Sequence, residues 1–286
     1  MPDITFVHMS DTHILPSADD RLHGVDPSEH FRRVVDWVRA METKPAFFII
    51  SGDLANGGEN DSYVRLKELV DEMDDFGVPI LLGLGNHDER LPFRRVMLHD
   101  NETHDEADQH YYSQTINGLR ILMLDSKVPG KAWGQLGSRQ LEWLDAELAN
   151  PAPAGDIIVL HHPPAPRIVA KLDEQARAVG FRDQDALLDV LRGRNILGIL
   201  SGHWHVATIG LWEGFLSAAA AATVFLGDPS VSDGWRWYAG AGFNLCTVKD
   251  GTLYVNPLIV SESFKDAWTS RWSEMAVRMK DTKMLV

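Results

Sequence analysis

The sequence predicts an α/β fold in which a largely parallel sheet is followed by antiparallel strands. Apolar segments alternate with helical segments up to residue 84, in the order strand, helix, strand, helix, strand. Such alternation is typical of parallel strands joined by right-handed crossovers. Further along, an Asn-Gly pair at 117–118 and short apolar runs separated by turn residues from 207 to 260 indicate antiparallel pairing.

Composition and charge describe an acidic globular protein. Of the 286 residues, 44% are hydrophobic and 24% are charged, and the formal net charge is −14. A chain this acidic gains nothing from general electrostatic attraction to nucleic acid or to an anionic membrane, so we expect neither partner. The single cysteine, Cys246, cannot form an internal disulfide. The chain shows no signal-peptide pattern and no apolar run of about 18 residues, which predicts a cytoplasmic protein.

The first predicted strand, at residues 4–9, leads directly into two candidate ligands. Asp11 and His13 are two residues apart, so both side chains point to the same side of an extended segment. After a loop, Asp26 followed by Pro27 predicts the start of a helix, because Asp is a favoured N-cap residue and Pro is favoured at the first helical position.

Two further strands end in polar residues. Residues 46–50 are apolar throughout, which is typical of a strand covered on both faces, and Gly52-Asp53 follows. A helix is predicted at 61–76 from its apolar spacing. The next strand, at 78–84, ends in the tetrapeptide Gly85-Asn86-His87-Asp88, which offers an amide oxygen and an imidazole.

The middle of the chain changes character. The polar segment at 89–108 predicts a loop, and its Arg90 and Arg94 have two interpretations: a solvated surface, or a lid that supplies cations to an anionic substrate. Residues 111–124 predict a hairpin with Asn-Gly at its turn. A helix is predicted at 138–148 from its leucine spacing.

The last predicted parallel strands also end in histidines. A strand at 156–160 ends in His161-His162, a capped helix follows at 183–191, and a strand at 196–200 leads into Gly202-His203-Trp204-His205. Near the end of the chain, aromatic and Met residues recur at helical spacing, at Phe264, Trp268, Trp272, Met275 and Met279. We therefore expect a main domain at 1–260 and a helical extension at 261–286, packed on the body or at a subunit interface.

Five predicted strand ends thus carry residue types that bind metal ions, and neighbouring ends of parallel strands converge on one rim of a sheet. Nitrogen and oxygen ligands without a thiolate suit Mn²⁺, Fe²⁺ or Fe³⁺, Co²⁺ and Zn²⁺. The ligands outnumber those that one ion needs, which predicts two ions, and a lone carboxylate at a central strand end, Asp53, suits the bridge between them. The full set is Asp11, His13, Asp53, Asn86, His87, His161, His162, His203 and His205.

These residues resemble the motifs of the calcineurin-like metallophosphoesterases. The resemblance covers about residues 4–210 and rests on Asp11-x-His13, Gly52-Asp53, Gly85-Asn86-His87-Asp88, His161 and Gly202-His203-x-His205. It looks closest to the bacterial branch that contains class III cyclic-nucleotide phosphodiesterases and glycerophosphodiesterases. The resemblance implies a four-layer α/β/β/α sandwich with mixed sheets and a dinuclear metal site at the carboxyl ends of the strands.

The resemblance also implies a role for each residue. Asp11, His13 and His205 bind the first ion; Asn86, His161 and His203 bind the second; Asp53 bridges them. His87 protonates or stabilises the leaving oxygen. In some relatives an Asp orients that histidine, and Asn56 stands at the corresponding position here. An amide accepts a hydrogen bond from imidazole but stabilises imidazolium less than a carboxylate does. His162 either supports the ligands from behind or shapes the turn before Pro163.

The implied reaction is hydrolysis of a small phosphodiester, with 3′,5′-cyclic nucleotides such as cAMP as the best candidates. Two ions about 3.5–4 Å apart lower the pKa of a bridging water, whose hydroxide attacks phosphorus in line. The alternatives are a glycerophosphodiesterase, a broad-specificity phosphodiesterase or phosphomonoesterase, a nuclease, and a non-catalytic scaffold. Trp204 either stacks on a base or packs in the core. A homo-oligomer, dimeric or larger, is left open. The candidates for substrate contact are His23, Arg90, Arg94, His162 and Trp204.

Overall fold

The computed structural model describes residues 2–164, 178–232 and 234–270, with side chains described as far as residue 260. The described strands form two mixed sheets of six strands each. The sheets pack face to face, and helices cover both outer faces. This arrangement confirms the predicted four-layer α/β/β/α sandwich.

The first sheet contains the first three strands of the chain and the last three. They are β1 (Ile4–Met9), β2 (Phe48–Ile50), β3 (Ile80–Leu82), β10 (Phe225–Asp228), β11 (Trp235–Lys249) and β12 (Thr252–Ser270). Strands β1, β2 and β3 are parallel neighbours, so their carboxyl ends lie together. Strand β11 runs antiparallel to β1 and joins the late hairpin to the sheet.

The second sheet contains the middle six strands. They are β4 (Tyr112–Ile116), β5 (Leu119–Met123), β6 (Asp156–Val159), β7 (Ile196–Ser201), β8 (Thr208–Trp212) and β9 (Phe215–Ala219), in the spatial order β4-β5-β6-β7-β9-β8. Strands β5, β6 and β7 are parallel. Strands β4 and β5 form the predicted hairpin, in which Asn117 and Gly118 both have positive φ, as a type I′ turn requires.

Within the residues that the structure describes, five helices cover the outer faces, and a short 3₁₀ turn follows the second of them at Asp74–Phe76. On the first sheet lie α1 (Pro27–Ala40), α2 (Asn60–Asp71) and α3 (Arg90–Met97), and on the second lie α4 (Ser138–Leu148) and α5 (Gln184–Leu191). The predicted cap of α1 is present, since Asp26 Oδ1 accepts a hydrogen bond from the Glu29 N–H at 3.1 Å. None of the helices in the described part of the chain has the length and apolarity that crossing a bilayer requires.

The central strands are apolar throughout because both of their faces are buried. In β1, Phe6 points into the core between the sheets, whereas Val7 packs under the helices. In β2, Ile49 likewise points into the core between the sheets, and Ile50 packs under the helices. This alternation gives each sheet two packed faces, which holds the strand ends in a defined position.

Two sequence predictions are corrected by the fold. The segment at 89–108, predicted as a loop, begins with helix α3, which turns Phe93 into the core against Tyr63. The helix predicted from Phe264 is a strand as far as Ser270, because β12 pairs with β11 across the predicted domain boundary at 260. Phe264 and Trp268 are four residues apart, a spacing that suits a strand as well as a helix. The rest of that predicted helix, from Trp272 onward, lies outside the described residues, and the role of the extension in packing or subunit contact stays a prediction.

Candidate metal centre

Loops after five strands bring the predicted ligands together, and these strands come from both sheets. Asp11 and His13 follow β1, Asp53 follows β2, and the loops after β3, β6 and β7 supply the remaining ligands. The sequence suggested that the ligands lie at the rim of one sheet, and this expectation was wrong. Instead, the carboxyl ends of three strands of one sheet face those of two strands of the other, which encloses the ligands from both sides.

The backbone at the ligands is strained. Five of these residues adopt positive φ angles without being glycine: Asp11 at 53°, His13 at 46°, Asp53 at 48°, His203 at 72° and His205 at 56°. The left-handed region costs a non-glycine residue about 1–3 kcal/mol, and such residues cluster at functional sites. The surrounding fold therefore holds these side chains in positions that the local chain disfavours.

One group of ligand atoms consists of Asp11, His13 and His205, whose nearest atoms lie within 4.8 Å of one another. The Nε2 atoms of the two histidines are 3.2 Å apart, and His205 Nε2 is 3.4 Å from Asp11 Oδ1. Two imidazoles and a carboxylate that converge on one point are a ligand set for a divalent metal ion.

Asp53 lies between this group and the histidines of the second sheet. Its Oδ2 atom is 3.6 Å from His13 Nε2 and 3.2 Å from His161 Nε2. His161 also forms a group with His162 and His203 in which potential ligand atoms lie within 4.8 Å of one another. One carboxylate oxygen therefore faces ligands of both groups, which is the position of a bridge.

Unsatisfied polar atoms in the centre fit a cation. Asn86 Oδ1 and His161 Nε2 are buried and have no hydrogen-bond partner among the described residues. Buried polar atoms almost always have a partner, so each of these two atoms requires an explanation. A bound divalent metal ion would explain both, because amide oxygen and imidazole nitrogen are ligand types that such ions accept.

The protonation states also suit metal binding. Burial lowers the pKa of His203 and of His205 to about 3, so both imidazoles are neutral at physiological pH. Burial alone would raise the pKa of Asp53, but nearby imidazoles, His161 first, outweigh it and hold this pKa well below its usual range. Burial would lower the pKa of His161, but Asp53 raises it to about 9. A metal ion at His161 therefore binds in competition with a proton.

Hydrogen bonds at the outer nitrogens orient the histidine rings. His13 Nδ1 lies 3.2 Å from Asn56 Oδ1, His161 Nδ1 lies 3.2 Å from the Ser51 carbonyl oxygen, and His203 Nε2 lies 3.0 Å from the carbonyl oxygen of Val179. In each case the ring N–H donates outward, which leaves the other nitrogen as an acceptor for a metal.

His162 is placed differently from its neighbour. Its Nδ1 atom is 2.8 Å from Ser126 Oγ, and its Nε2 atom is 3.3 Å from the carbonyl oxygen of Ala132. Both ring nitrogens have protein partners, and the side chain is fully buried. This contact pattern favours a supporting position behind His161 and His203 over a ligand or a substrate contact.

His87 is exposed at the edge of the centre and is held by two contacts. Its backbone N–H donates to Asp53 Oδ1 at 2.8 Å, and its Nδ1 atom lies 2.7 Å from the carbonyl oxygen of Asn56. The expected contact between the Asn56 amide and His87 is therefore replaced by a backbone contact, while the amide oxygen binds His13. Since any residue at position 56 has that carbonyl, the contact that orients His87 does not depend on the side chain of Asn56.

The two arginines that were candidates for substrate contact bind other parts of the protein instead. Arg90 is only 1% exposed, and its Nε and Nη2 atoms donate to both carboxylate oxygens of Asp125 at 2.7 and 3.0 Å. Arg94 Nη2 lies 3.2 Å from the carbonyl oxygens of Asp108 and Gln109. Both guanidinium groups hold the segment after α3 in place, because they donate to its backbone carbonyl oxygens. These contacts correct the interpretation in which the two arginines contact an anionic substrate.

Trp204 and His23 also differ from the expectation. Trp204 is 7% exposed and stacks on Trp235, with ring centroids 6.2 Å apart, which favours the core-packing alternative over stacking on a base. His23 is exposed and meets the Phe225 ring edge-on at 6.0 Å. A substrate contact by His23 stays a prediction.

Sequence reasoning assigned no role to Asp88, although it ends the tetrapeptide. Its buried carboxylate accepts hydrogen bonds from the backbone N–H groups of Leu54, Ala55 and Gly85 at 2.8–3.0 Å and from the Tyr63 hydroxyl at 2.9 Å. These contacts tie the loop of Asp53 to the loop of Asn86. The sequence did show a carboxylate directly after Asn86-His87. It could not show the partners of that carboxylate, because the four partners come from three separate segments of the chain.

Comparisons with known proteins agree with this geometry. The sequence model of the family described as calcineurin-like phosphoesterase matches residues 4–207. The chain is 38% identical to a probable cyclic nucleotide phosphodiesterase of Rhodococcus erythropolis, over 88% of this chain and 82% of that protein. It is 37% identical to a cAMP/cGMP dual specificity phosphodiesterase of Mycobacterium tuberculosis, over 88% of this chain and 78% of that one.

A solved structure of low sequence identity shares the fold. The purple acid phosphatase PPD1 of yellow lupin superposes with a TM-score of 0.61 at 13% identity, over 93% of this chain and 53% of that enzyme. At such identity the likeness concerns the fold alone.

Proposed function

Because this chain belongs to the calcineurin-like phosphoesterase family, we propose that it is a metal-dependent phosphodiesterase that hydrolyses 3′,5′-cyclic nucleotides such as cAMP. The observation that carries the proposal is the position of Asp53 Oδ2, which lies 3.6 Å from His13 Nε2 and 3.2 Å from His161 Nε2. Two ligand groups around one carboxylate oxygen suit a pair of ions, and a pair of ions suits phosphodiester hydrolysis.

In this proposal the ligands divide into two sets. One ion is held by Asp11, His13 and His205, the other by Asn86, His161 and His203, and Asp53 is shared. When bound, the ions supply positive charge for the phosphoryl oxygens and lower the pKa of the attacking water. The donor set admits Mn²⁺, Fe²⁺ or Fe³⁺, Zn²⁺ and Co²⁺.

His87 acts on the leaving oxygen in this mechanism. Its Nδ1 atom donates to the Asn56 carbonyl oxygen, so Nε2 is the nitrogen that faces the substrate. The hydrogen bond from its backbone N–H to Asp53 Oδ1 places this ring at the edge of the ligand set. An exposed imidazole held on one side suits proton transfer to a departing alkoxide.

The substrate in this proposal is a small molecule rather than a nucleic acid. The formal net charge of −14 disfavours binding to a long polyanion, whereas bound ions reverse the charge locally. We also place the protein in the cytoplasm: its single cysteine, buried Cys246, needs no oxidising compartment. A homo-oligomer is compatible with this chemistry.

Hydrolysis of cAMP and of bis-p-nitrophenyl phosphate tests the proposal. Metal-stripped protein reconstituted with Mn²⁺ is expected to convert cAMP to AMP, with the products separated by chromatography. Cleavage of the chromogenic diester without turnover of cAMP would keep the mechanism and favour glycerophosphodiesters as substrates. Inactivity on both compounds would favour a scaffold without catalysis.

Replacement of Asn56 by Ala separates its two contacts. We expect this variant to bind the ion at His13 about tenfold more weakly, because loss of a partner that orients a ligand typically has such an effect. The preference between alkyl and aryl leaving groups should stay unchanged, because the carbonyl oxygen that contacts His87 remains. Activity titrated against Mn²⁺ with both substrates measures the two effects. A changed leaving-group preference would contradict the backbone contact.

A further inference from the structure

His205 differs from the other ligand histidines at its outer ring nitrogen. His13, His161 and His203 each have a protein oxygen within 3.2 Å of that nitrogen. His205 directs Nε2 toward the ligand group, 3.4 Å from Asp11 Oδ1, and its Nδ1 atom is buried without a hydrogen-bond partner among the described residues. A metal-binding histidine almost always donates its second N–H to an acceptor. Another contact must therefore fix the ring of His205.

The ring of Trp237 lies against the ring of His205. The two ring centroids are 5.4 Å apart and the planes meet at 80°, an arrangement that aromatic pairs favour. Trp237 is half-buried and lies in β11, beyond residue 207, where the match to the family model ends. A late strand of the chain thus contacts a ligand that the family motif supplies.

The strand next to Trp237 holds the backbone of His205. The Gly227 N–H donates to the His205 carbonyl oxygen at 2.8 Å, and Gly227 lies directly opposite Trp237 in the pairing of β10 with β11. A Cβ at Gly227 would lie only 3.0 Å from Val206 Cγ2, so glycine lets β10 come this close to the loop. One pair of strands therefore positions both the backbone and the ring of His205.

Two buried tryptophans support Trp237 from behind. Trp237 stacks on Trp235 with centroids 5.8 Å apart, and Trp235 stacks on Trp204 at 6.2 Å. Trp235 is 3% exposed and Trp204 is 7% exposed. At the far end, Trp204 meets the ring of His203 at 4.9 Å. We call Trp204, Trp235 and Trp237 the tryptophan stack. Because packed interiors yield little, the stack holds Trp237 firmly against His205.

We propose that Trp237 is a positioning residue that holds Nε2 of His205 toward the first ion through ring packing, in place of a hydrogen bond. This inference rests on the proposed function for the division of the ligands into two sets. At the other end of the tryptophan stack, His203 has its own hydrogen bond to the carbonyl oxygen of Val179. Loss of the Trp237 ring therefore weakens the ion at His205 and leaves the other ion in place.

Calorimetric titration of Mn²⁺ into the metal-stripped full chain, without substrate, tests this role. Trp237→Leu is expected to weaken the ion at His205 about tenfold, the lower end of the usual effect of losing a partner that orients a ligand. His205→Ala and Asn86→Ala assign the two binding steps. Trp237→Phe keeps an aromatic ring and should restore most of the affinity. Trp143→Leu, which removes a half-buried tryptophan that contacts Tyr111, is the matched control and should leave both affinities unchanged.

A second comparison separates positioning from general support of the fold. In a His205→Ala background, Trp237→Leu should cause no further loss of Mn²⁺ affinity, because a residue that acts through His205 has nothing left to position. A residue that merely supports the fold would cause the same loss with and without the histidine.

Three outcomes would overturn the positioning role: unchanged Mn²⁺ affinity in Trp237→Leu, equal weakening of both ions, or the same loss in the His205→Ala background. Should Trp237→Leu not fold, Trp237→Met takes its place with the same expected loss, because Met fills irregular gaps in a core. If the wild type binds Mn²⁺ with these effects but leaves cAMP intact, the proposed substrate fails and the positioning role stands. If the wild type binds no Mn²⁺, both fail.

Discussion

Replacement of Asp53 by Ala is expected to lower turnover at least about a thousandfold, since the carboxylate is shared by both proposed ions. Its Oδ2 atom faces His13 and His161, which belong to different ligand groups. Loss of this oxygen therefore weakens both ions, and loss of Oδ1 also frees the backbone N–H of His87. Asp53 thus has contacts with both groups and with His87.

The measurement combines metal content with activity. Wild type and variant are desalted after loading with Mn²⁺, and bound metal is counted by elemental analysis beside kcat on bis-p-nitrophenyl phosphate. The variant should lose both ions, whereas Asn86→Ala should lose one and keep the set around His13. Asp189→Asn, an exposed carboxylate with 69% of its side chain accessible, serves as the control. Two bound ions and wild-type turnover in Asp53→Ala would refute the bridging role.

Replacement of His87 by Ala is expected to slow cleavage of cAMP by about 10²–10³-fold, within the usual range for loss of a general acid. The alkoxide leaving group of cAMP needs a proton as the bond to phosphorus breaks. Nitrophenolate leaves without one, so the loss on bis-p-nitrophenyl phosphate should be much smaller. Metal content should stay at the wild-type level, because the proposed ligand set does not include His87, whose Nδ1 atom is held by the carbonyl oxygen of Asn56.

Kinetics with a series of aryl phosphodiesters checks the role of His87. The rate of the variant should depend more steeply on the pKa of the leaving phenol than the rate of the wild type. Equal loss on good and poor leaving groups would instead indicate that His87 binds the phosphoryl group. Thermal unfolding of both proteins excludes a general loss of structure.

Local patterns in the sequence predicted most of the helices and strands and identified the candidate ligand residues. The helix at 138–148 has the bounds that leucine spacing indicated, and the Asn-Gly hairpin is present. These features depend on residues close together in the chain: a period of 3.6 or 2, a cap, or a turn that needs positive φ. Polar residues directly after apolar strands are equally local, so the candidates around Asp11, Asp53, Asn86, His161 and His203 were visible in the sequence.

Contacts between distant segments were decided only by the tertiary structure. The sequence showed arginines near the site but not that Arg90 is buried against Asp125, 35 residues away. It showed Asn56 at the position expected to orient His87. It did not show that the side-chain amide contacts His13 while the backbone carbonyl contacts His87. Residue types and spacing determine what a segment can do, whereas the partner of a side chain depends on which other segments the packed sheets bring within a few ångströms.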